Sequence, residues 1–213
     1  MRQIDYAKIL KNKRGIVGIE AAIVLIAFII IAAALSYVII NMGFYTTQKT
    51  KETMQTGLDE SLTALQLDGV VTAKTDSLGY IKYLAIPVKL SAGRAAIDLG
   101  KNAVVVSVYL QNATLMNMYQ GAAPTNETTW DALLSSLDLT SEGAKFAIYN
   151  GNNNTVLELT GKAFLIICLN EERRISNYET VKIEVRGAKG AALTVMRTAP
   201  GGMLPNSFVD LVN

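Results

Sequence analysis

Between Ala21 and Ile40 no position carries a charge, and almost every side chain is Ala, Val, Leu, Ile or Phe. An uncharged run of about twenty residues is long enough to cross a bilayer as a helix. It is apolar on all sides, the pattern of a helix surrounded by lipid or by other helices rather than packed on a globular core. Beyond Asn41 the pattern becomes amphipathic. Met54, Leu58, Leu62 and Leu65 recur at helical spacing, while Lys49, Lys51, Glu52, Asp59 and Glu60 take other faces. These signals predict one helix over residues 16–66, roughly 70 Å long. Gly43, where the apolar part ends, is its interior weak point, costing about 1 kcal/mol against Ala.

From Asp68 onward the period shortens to two. Val104, Val106, Val108 and Leu110 fall on one strand face; Val181, Ile183 and Val185 alternate with Lys182, Glu184 and Arg186, which predicts a strand with one wet face. Ile81 to Leu90, Lys145 to Tyr149, Val156 to Thr160, Lys162 to Leu169 and Ala192 to Met196 are further strand candidates. Gly, Asn and Pro separate them, as in Gly121-Ala122-Ala123-Pro124 and Asn150-Gly151-Asn152-Asn153-Asn154. About seven short strands in such a length predict an all-β, immunoglobulin-like sandwich over residues 67–213. Pro87, inside a strand-like run, predicts an edge position, because proline has no ladder donor. The segment Trp130 to Leu139 fits a short helix or a strand equally. The expected fold class is therefore α+β: a long N-terminal hydrophobic helix followed by a β-sandwich.

The residues ahead of the apolar run are basic. Arg2, Lys8, Lys11, Lys13 and Arg14 precede it with Asp5 alone opposing them, which keeps the N-terminus cytoplasmic under the positive-inside rule. A secretory signal has a shorter apolar region followed by a small-residue cleavage site. Here Ala32-Ala33-Ala34 lies inside the run, so the favoured cut is before it, after Gly15. Residues 1–15 are then a leader to be removed, and the apolar helix stays with the mature protein. From the residues alone, an uncleaved signal anchor is as good an account.

Lys13-Arg14-Gly15, a cut before Ile16, and then a uniformly apolar helix with an acid at its fifth position (Glu20) resembles the class III signal of type IV pilin-like proteins. Ile39-Ile40-Asn41-Met42-Gly43-Phe44 resembles the archaeal flagellins (archaellins) in particular. So do Ala85-Ile86-Pro87-Val88-Lys89-Leu90-Ser91-Ala92-Gly93 and Gly187-Ala188-Lys189-Gly190-Ala191-Ala192-Leu193-Thr194-Val195. The resemblance spans the chain, with Glu20 the residue more typical of pilins. It implies cleavage by a prepilin-peptidase-like enzyme, with an assembly ATPase and a membrane platform protein as further partners. It also implies a homopolymer whose helices form the filament core and whose β-domains form its outside, located at the cell surface and used for swimming. An adhesive pilus subunit shares that assembly physics, and a membrane-anchored surface binding module is the reading from another class.

The helix suits storage in lipid followed by polymerisation. In the membrane it satisfies its own backbone; in a filament Ala21, Ala22, Ala27, Ala32, Ala33 and Ala34 permit close helix approach. Glu20, buried in such a core, needs a partner. The new amino group of Ile16 in a neighbouring subunit is one, setting axial register; a favourable place in the helix dipole, worth about 0.3–1 kcal/mol, is the competing explanation.

Charge and composition narrow the chemistry. The 213 residues hold 20 Lys and Arg against 18 Asp and Glu; loss of the leader, with five basic residues and one acid, leaves 15 against 17, a net −2. No basic patch remains for nucleic acid. Histidine is absent, which removes Ser-His-Asp and Cys-His catalysis and imidazole-held metals. No catalytic residue, metal site or cofactor is predicted, and the acid-free loop at 150–154 reads as a hairpin turn rather than a calcium site. Arg173-Arg174 reads as part of an exposed turn, and the single cysteine, Cys168, as a small apolar residue in a strand. Three sequons lie in the exported part, at Asn112, Asn126 and Asn153, and are candidate N-glycosylation sites.

Overall fold

The computed structural model describes residues 13–61, 64–92, 96–149, 153–188 and 190–212. In chain order it contains α1 (Lys13–Ser61), β1 (Leu65–Leu67), β2 (Thr72–Thr75), β3 (Ile81–Leu90), β4 (Ile97–Asp98), β5 (Val104–Tyr109), β6 (Thr114–Leu115) and β7 (Tyr119–Pro124). These are followed by α2 (Trp130–Leu137), β8 (Gly143–Tyr149), β9 (Val156–Leu157), β10 (Lys162–Cys168), β11 (Thr180–Gly187), β12 (Leu193–Thr198) and β13 (Phe208–Asp210). The chain divides into two compact units, Met1–Thr56 and Gly57–Asn213.

α1 has 49 residues, roughly 75 Å at the helical rise. No proline interrupts it. In its polar C-terminal part the hydroxyls of Thr46, Thr47, Thr50, Thr53, Thr56 and Ser61 each donate to the carbonyl four residues back, at 2.7–2.9 Å, so they are satisfied within the helix. The helix ends earlier than its periodicity predicted. Leu65 is not on a helical stripe; it is buried in β1, opposite Leu90 of β3. Leu65 and Leu67 alternate as well as they step, and the free edge of β3 decides between the two periods.

The head is a sandwich. Its larger sheet runs β13-β2-β3-β10-β8-β7, with β1 also on β3, and its smaller sheet runs β12-β11-β5-β6. Between them lie Leu84, Ile86 and Val88 of β3, Leu165 and Ile167 of β10, and Phe146 and Ile148 of β8. Val106 and Val108 of β5, with Val181, Ile183 and Val185 of β11, close the core from the other sheet. Each is fully or almost fully buried, worth about 1.5–3 kcal/mol apiece.

α2 covers the outer face of the larger sheet. Leu133 and Leu137, one turn apart, and Leu139 just beyond pack on Ala85, Ala147, Ile166 and Cys168. The open alternative at Trp130 to Leu139 thus resolves to helix. β7 and β8 pair in parallel, and parallel neighbours need a crossover rather than a hairpin. α2 lies in that crossover, and its C-cap, Asp138, takes a left-handed conformation, φ 48°.

Two further expectations are corrected. Pro87 is not on an edge: β3 is flanked by β10 on one side and by β1 and β2 on the other. On that second side, however, β1 reaches Val88 and β2 reaches only Ala85, so the missing donor of Pro87 falls in the gap between two partners. Nor is Arg174 part of a solvated turn. Its guanidinium makes a close ion pair with Asp76, both side chains largely buried. Asp76 also accepts from the amides of Leu78 and Tyr80, which fixes the β2–β3 turn.

Candidate assembly surface and modification loops

Among the described residues, the large apolar side chains of α1 are exposed. Ile26, Phe28 and Ile31 are 57%, 74% and 61% exposed, and Ile19, Leu25, Ile29, Ile30, Leu35 and Ile39 are similarly open. The described part, Gly18–Ser61, is long and apolar enough to cross a membrane. The farther stripe is also uncovered: Met54 and Leu58 are exposed, with Lys49 and Glu52 paired at 2.8 Å beside them. A continuous apolar surface of this length is not stable in water. Lipid or other copies of the helix must cover it.

Of the residues tied to processing, the backbone of Lys13, Arg14, Gly15 and Ile16 is helical and forms the start of α1; residues 1–12 lie outside the described residues. Glu20 follows within the next turn and is exposed, where a partner from another molecule can reach it. Gly18 and Gly43 have open space where a Cβ would stand.

The three sequon asparagines are all exposed. Asn112 lies in the β5–β6 turn, where the amide of Leu110 donates to the carbonyl of Ala113 at 2.8 Å. Asn126 lies in the loop leading to α2, braced on both sides: the Thr125 amide donates to the Ile148 carbonyl at 3.0 Å, and the Tyr149 hydroxyl donates to the Glu127 carbonyl at 2.8 Å. Asn153 lies just before β9 with φ 49°. Residues 150–152 of the Asn-rich loop lie outside the described residues, and among the described residues no group of three or more His, Cys, Asp or Glu is placed to hold a metal.

Sequence reasoning missed an aromatic groove on the outer face of the larger sheet. Trp130 packs edge-on against Tyr83 and Phe208, and Tyr149 against Phe164; Trp130, Phe208, Tyr149 and Phe164 line a cavity of about 250 Å3. Its signal was faint: Tyr83, Pro87 and Phe164 sit at the positions of β3 and β10 that alternate with the core.

A long apolar helix with exposed side chains, followed in the chain by a β-sandwich head, is the make-up of a subunit that is held in a membrane or polymerises through its helix. Residues 15–197 match the archaeal-type flagellin family, and the chain belongs to it. A probable flagellin of Aeropyrum pernix is 42% identical over 205 residues, covering 95% of this chain and all of that one. The archaeal flagellum of Methanospirillum hungatei superposes with a TM-score of 0.55 at 26% identity, covering 92% of this chain and 99% of that subunit. The crystal structure of the flagellin FlaB1 of Methanocaldococcus jannaschii, at 20% identity and a TM-score of 0.59, covers 69% of this chain and 95% of that one, and shares its fold.

Proposed function

We propose that this chain is the structural subunit of an archaeal flagellar filament used for swimming, exposed on the outside of the cell after insertion of its precursor in the membrane. The bare apolar surface of α1 carries the reading, since it requires either lipid or identical helices around it. Family membership supports the filament.

In this account residues 1–15 are a cytoplasmic leader, cut after Gly15 by a prepilin-peptidase-like enzyme that reads Lys13, Arg14 and the bare glycine backbone. An assembly ATPase and a platform protein then move the subunit from membrane to filament. α1 forms the filament core and the sandwich faces solvent. The new amine of Ile16 pairs with Glu20 of a neighbour, and the pair sets register because a lone carboxylate in an apolar core is costly. Glycans at Asn112, Asn126 or Asn153 cover the exposed head.

N-terminal sequencing of protein sheared from cells tests this. A start at Ile16-Val17-Gly18-Ile19-Glu20 is expected. Protein confined to membranes and beginning at Met1 would sink the proposal in favour of an anchored surface module.

A further inference from the structure

The fold brings two sequons, far apart in sequence, to one place. Asn126 and Asn153 line the same cleft, of about 340 Å3, together with Pro124, Thr125, Ser136 and Ile148. That is near the lower end of volumes that enclose a single small ligand, roughly 300 Å3. We propose that Asn126 and Asn153 are one modification site rather than two: the first sugars of a glycan on Asn126 fill the cleft and exclude a second glycan from Asn153. This rests on the glycosylation reading above.

The two sequons differ in how they present themselves. Glu127 and Thr128 are exposed beside Asn126, and the loop is anchored through Thr125 and the Glu127 carbonyl rather than through the asparagine. The second sequon is built into the sheet. The Thr155 hydroxyl is held by the Asp98 carboxylate at 3.1 Å, the Thr155 carbonyl accepts from the Leu99 amide at 2.9 Å, and the next residue, Val156, is paired in β9 with Asp98. Both sequons therefore sit on braced backbone, and they differ at the hydroxyl: Thr128 is exposed, whereas the Thr155 hydroxyl is engaged by Asp98. A transferase reading Asn-X-Thr is thus favoured at Asn126, while Asn153 stays usable when the first sequon is lost.

The chemistry needs a lipid-linked glycosyl phosphate as donor. The asparagine Nδ2 bonds to the anomeric carbon while that carbon's bond to the phosphate oxygen breaks. The lipid phosphate leaves with the electron pair, and the amide proton passes to a base on the transferase. Once one glycan is rooted in the cleft, approach of a second lipid-linked donor to Asn153 is blocked.

Intact-mass and glycopeptide spectrometry of native filaments tests the proposal, using wild type, Asn126→Gln, Thr128→Val, Asn153→Gln and Asn112→Gln. Expected is a glycan on Asn126 with Asn153 bare in the same subunit, and a shift of that glycan to Asn153 in both Asn126→Gln and Thr128→Val. Asn153→Gln and Asn112→Gln leave Asn126 occupied. Wild-type subunits carrying both glycans, or an Asn153 whose occupancy ignores the loss of the first sequon, overturn the single-site proposal while leaving glycosylation intact. Absence of glycan at all three positions overturns the glycosylation reading itself, and this proposal with it.

Discussion

The amide of Asp68 donates to the carbonyl of Pro87 at 2.9 Å, at the point where β1 parts from β3 and before β2 joins it. A strand residue's N–H and C=O point to the same side, so the side on which Pro87 lacks a donor is the side of this one bond. The ring costs the ladder nothing there. Pro87→Ala is therefore expected to change the stability of the head by no more than about 1 kcal/mol, mainly through the freedom regained by the unfolded chain. Denaturant unfolding of the full chain in detergent reads this. A loss of several kcal/mol would mean that the ring braces the outer face of β3 instead.

Asp68 has a second role, in charge. Its carboxylate meets Lys89 at 2.8 Å and Lys162 at 3.4 Å. The Lys89 hydrogen bond, aided by both positive charges and opposed by burial, holds the Asp68 carboxyl below the usual carboxylate range. Because the folded-state value is the depressed one, this contribution is present above the unfolded value, about 4, and is lost as pH falls through the folded one. Asp68→Asn should thus be less stable than wild type at about pH 7, with the difference shrinking as pH falls below the ordinary carboxylate range. A difference that does not shrink would dismiss the ion pairs as the cause.

Phe146 is fully buried between the sheets and meets Tyr119 edge-to-face at 5.7 Å. Phe146→Ala leaves a hole that neighbours on paired strands cannot close, and should cost about 3–5 kcal/mol. Met116, 72% exposed, is the comparison: Met116→Ala should stay within about 0.5 kcal/mol. Chemical denaturation of the two variants in parallel decides whether the core lies between these sheets.

Cys168 sits under α2, buried against the larger sheet, and burial pushes its thiol above the ordinary range. Protonated and covered, it should resist an alkylating reagent at neutral pH in folded filaments and react only when the head is denatured. Rapid alkylation of intact filaments would contradict the packing of α2.

What the sequence made legible was whatever depended on period alone. The apolar run, the alternation of Val181, Ile183 and Val185, and the strand at Ile81 to Leu90 were readable because each element's own pattern decides it. The misreadings share a cause: a distant partner made the choice. Leu65 left its helix because Leu90 offered a pairing edge. Pro87 entered a central strand because two different neighbours divide its far side. Arg174 was drawn inward by Asp76, nearly a hundred positions earlier. Among the site residues, the sequons were legible one by one; that Asn126 and Asn153 share a cleft depends on a parallel pairing that no local pattern announces.

The strongest demand falls on α1. If its apolar surface is the polymerisation surface, one charge in the middle should abolish assembly without touching the head. Ile26 is more than half exposed in the chain and makes no part of the head's core, so Ile26→Asp leaves the sandwich folded. At the centre of an apolar helix the carboxylate costs roughly 2.5–3.5 kcal/mol in lipid, and in a filament core every subunit would repeat that cost with no cation beside it. Filaments should disappear from the medium, with cells non-motile and the subunit degraded or held at the membrane. Ile26→Leu, equal in volume, should swim. Electron microscopy of sheared material and a motility assay on both variants supply the answer. Filaments of normal length and number from Ile26→Asp would mean that α1 is an anchor and that the subunits associate through another surface.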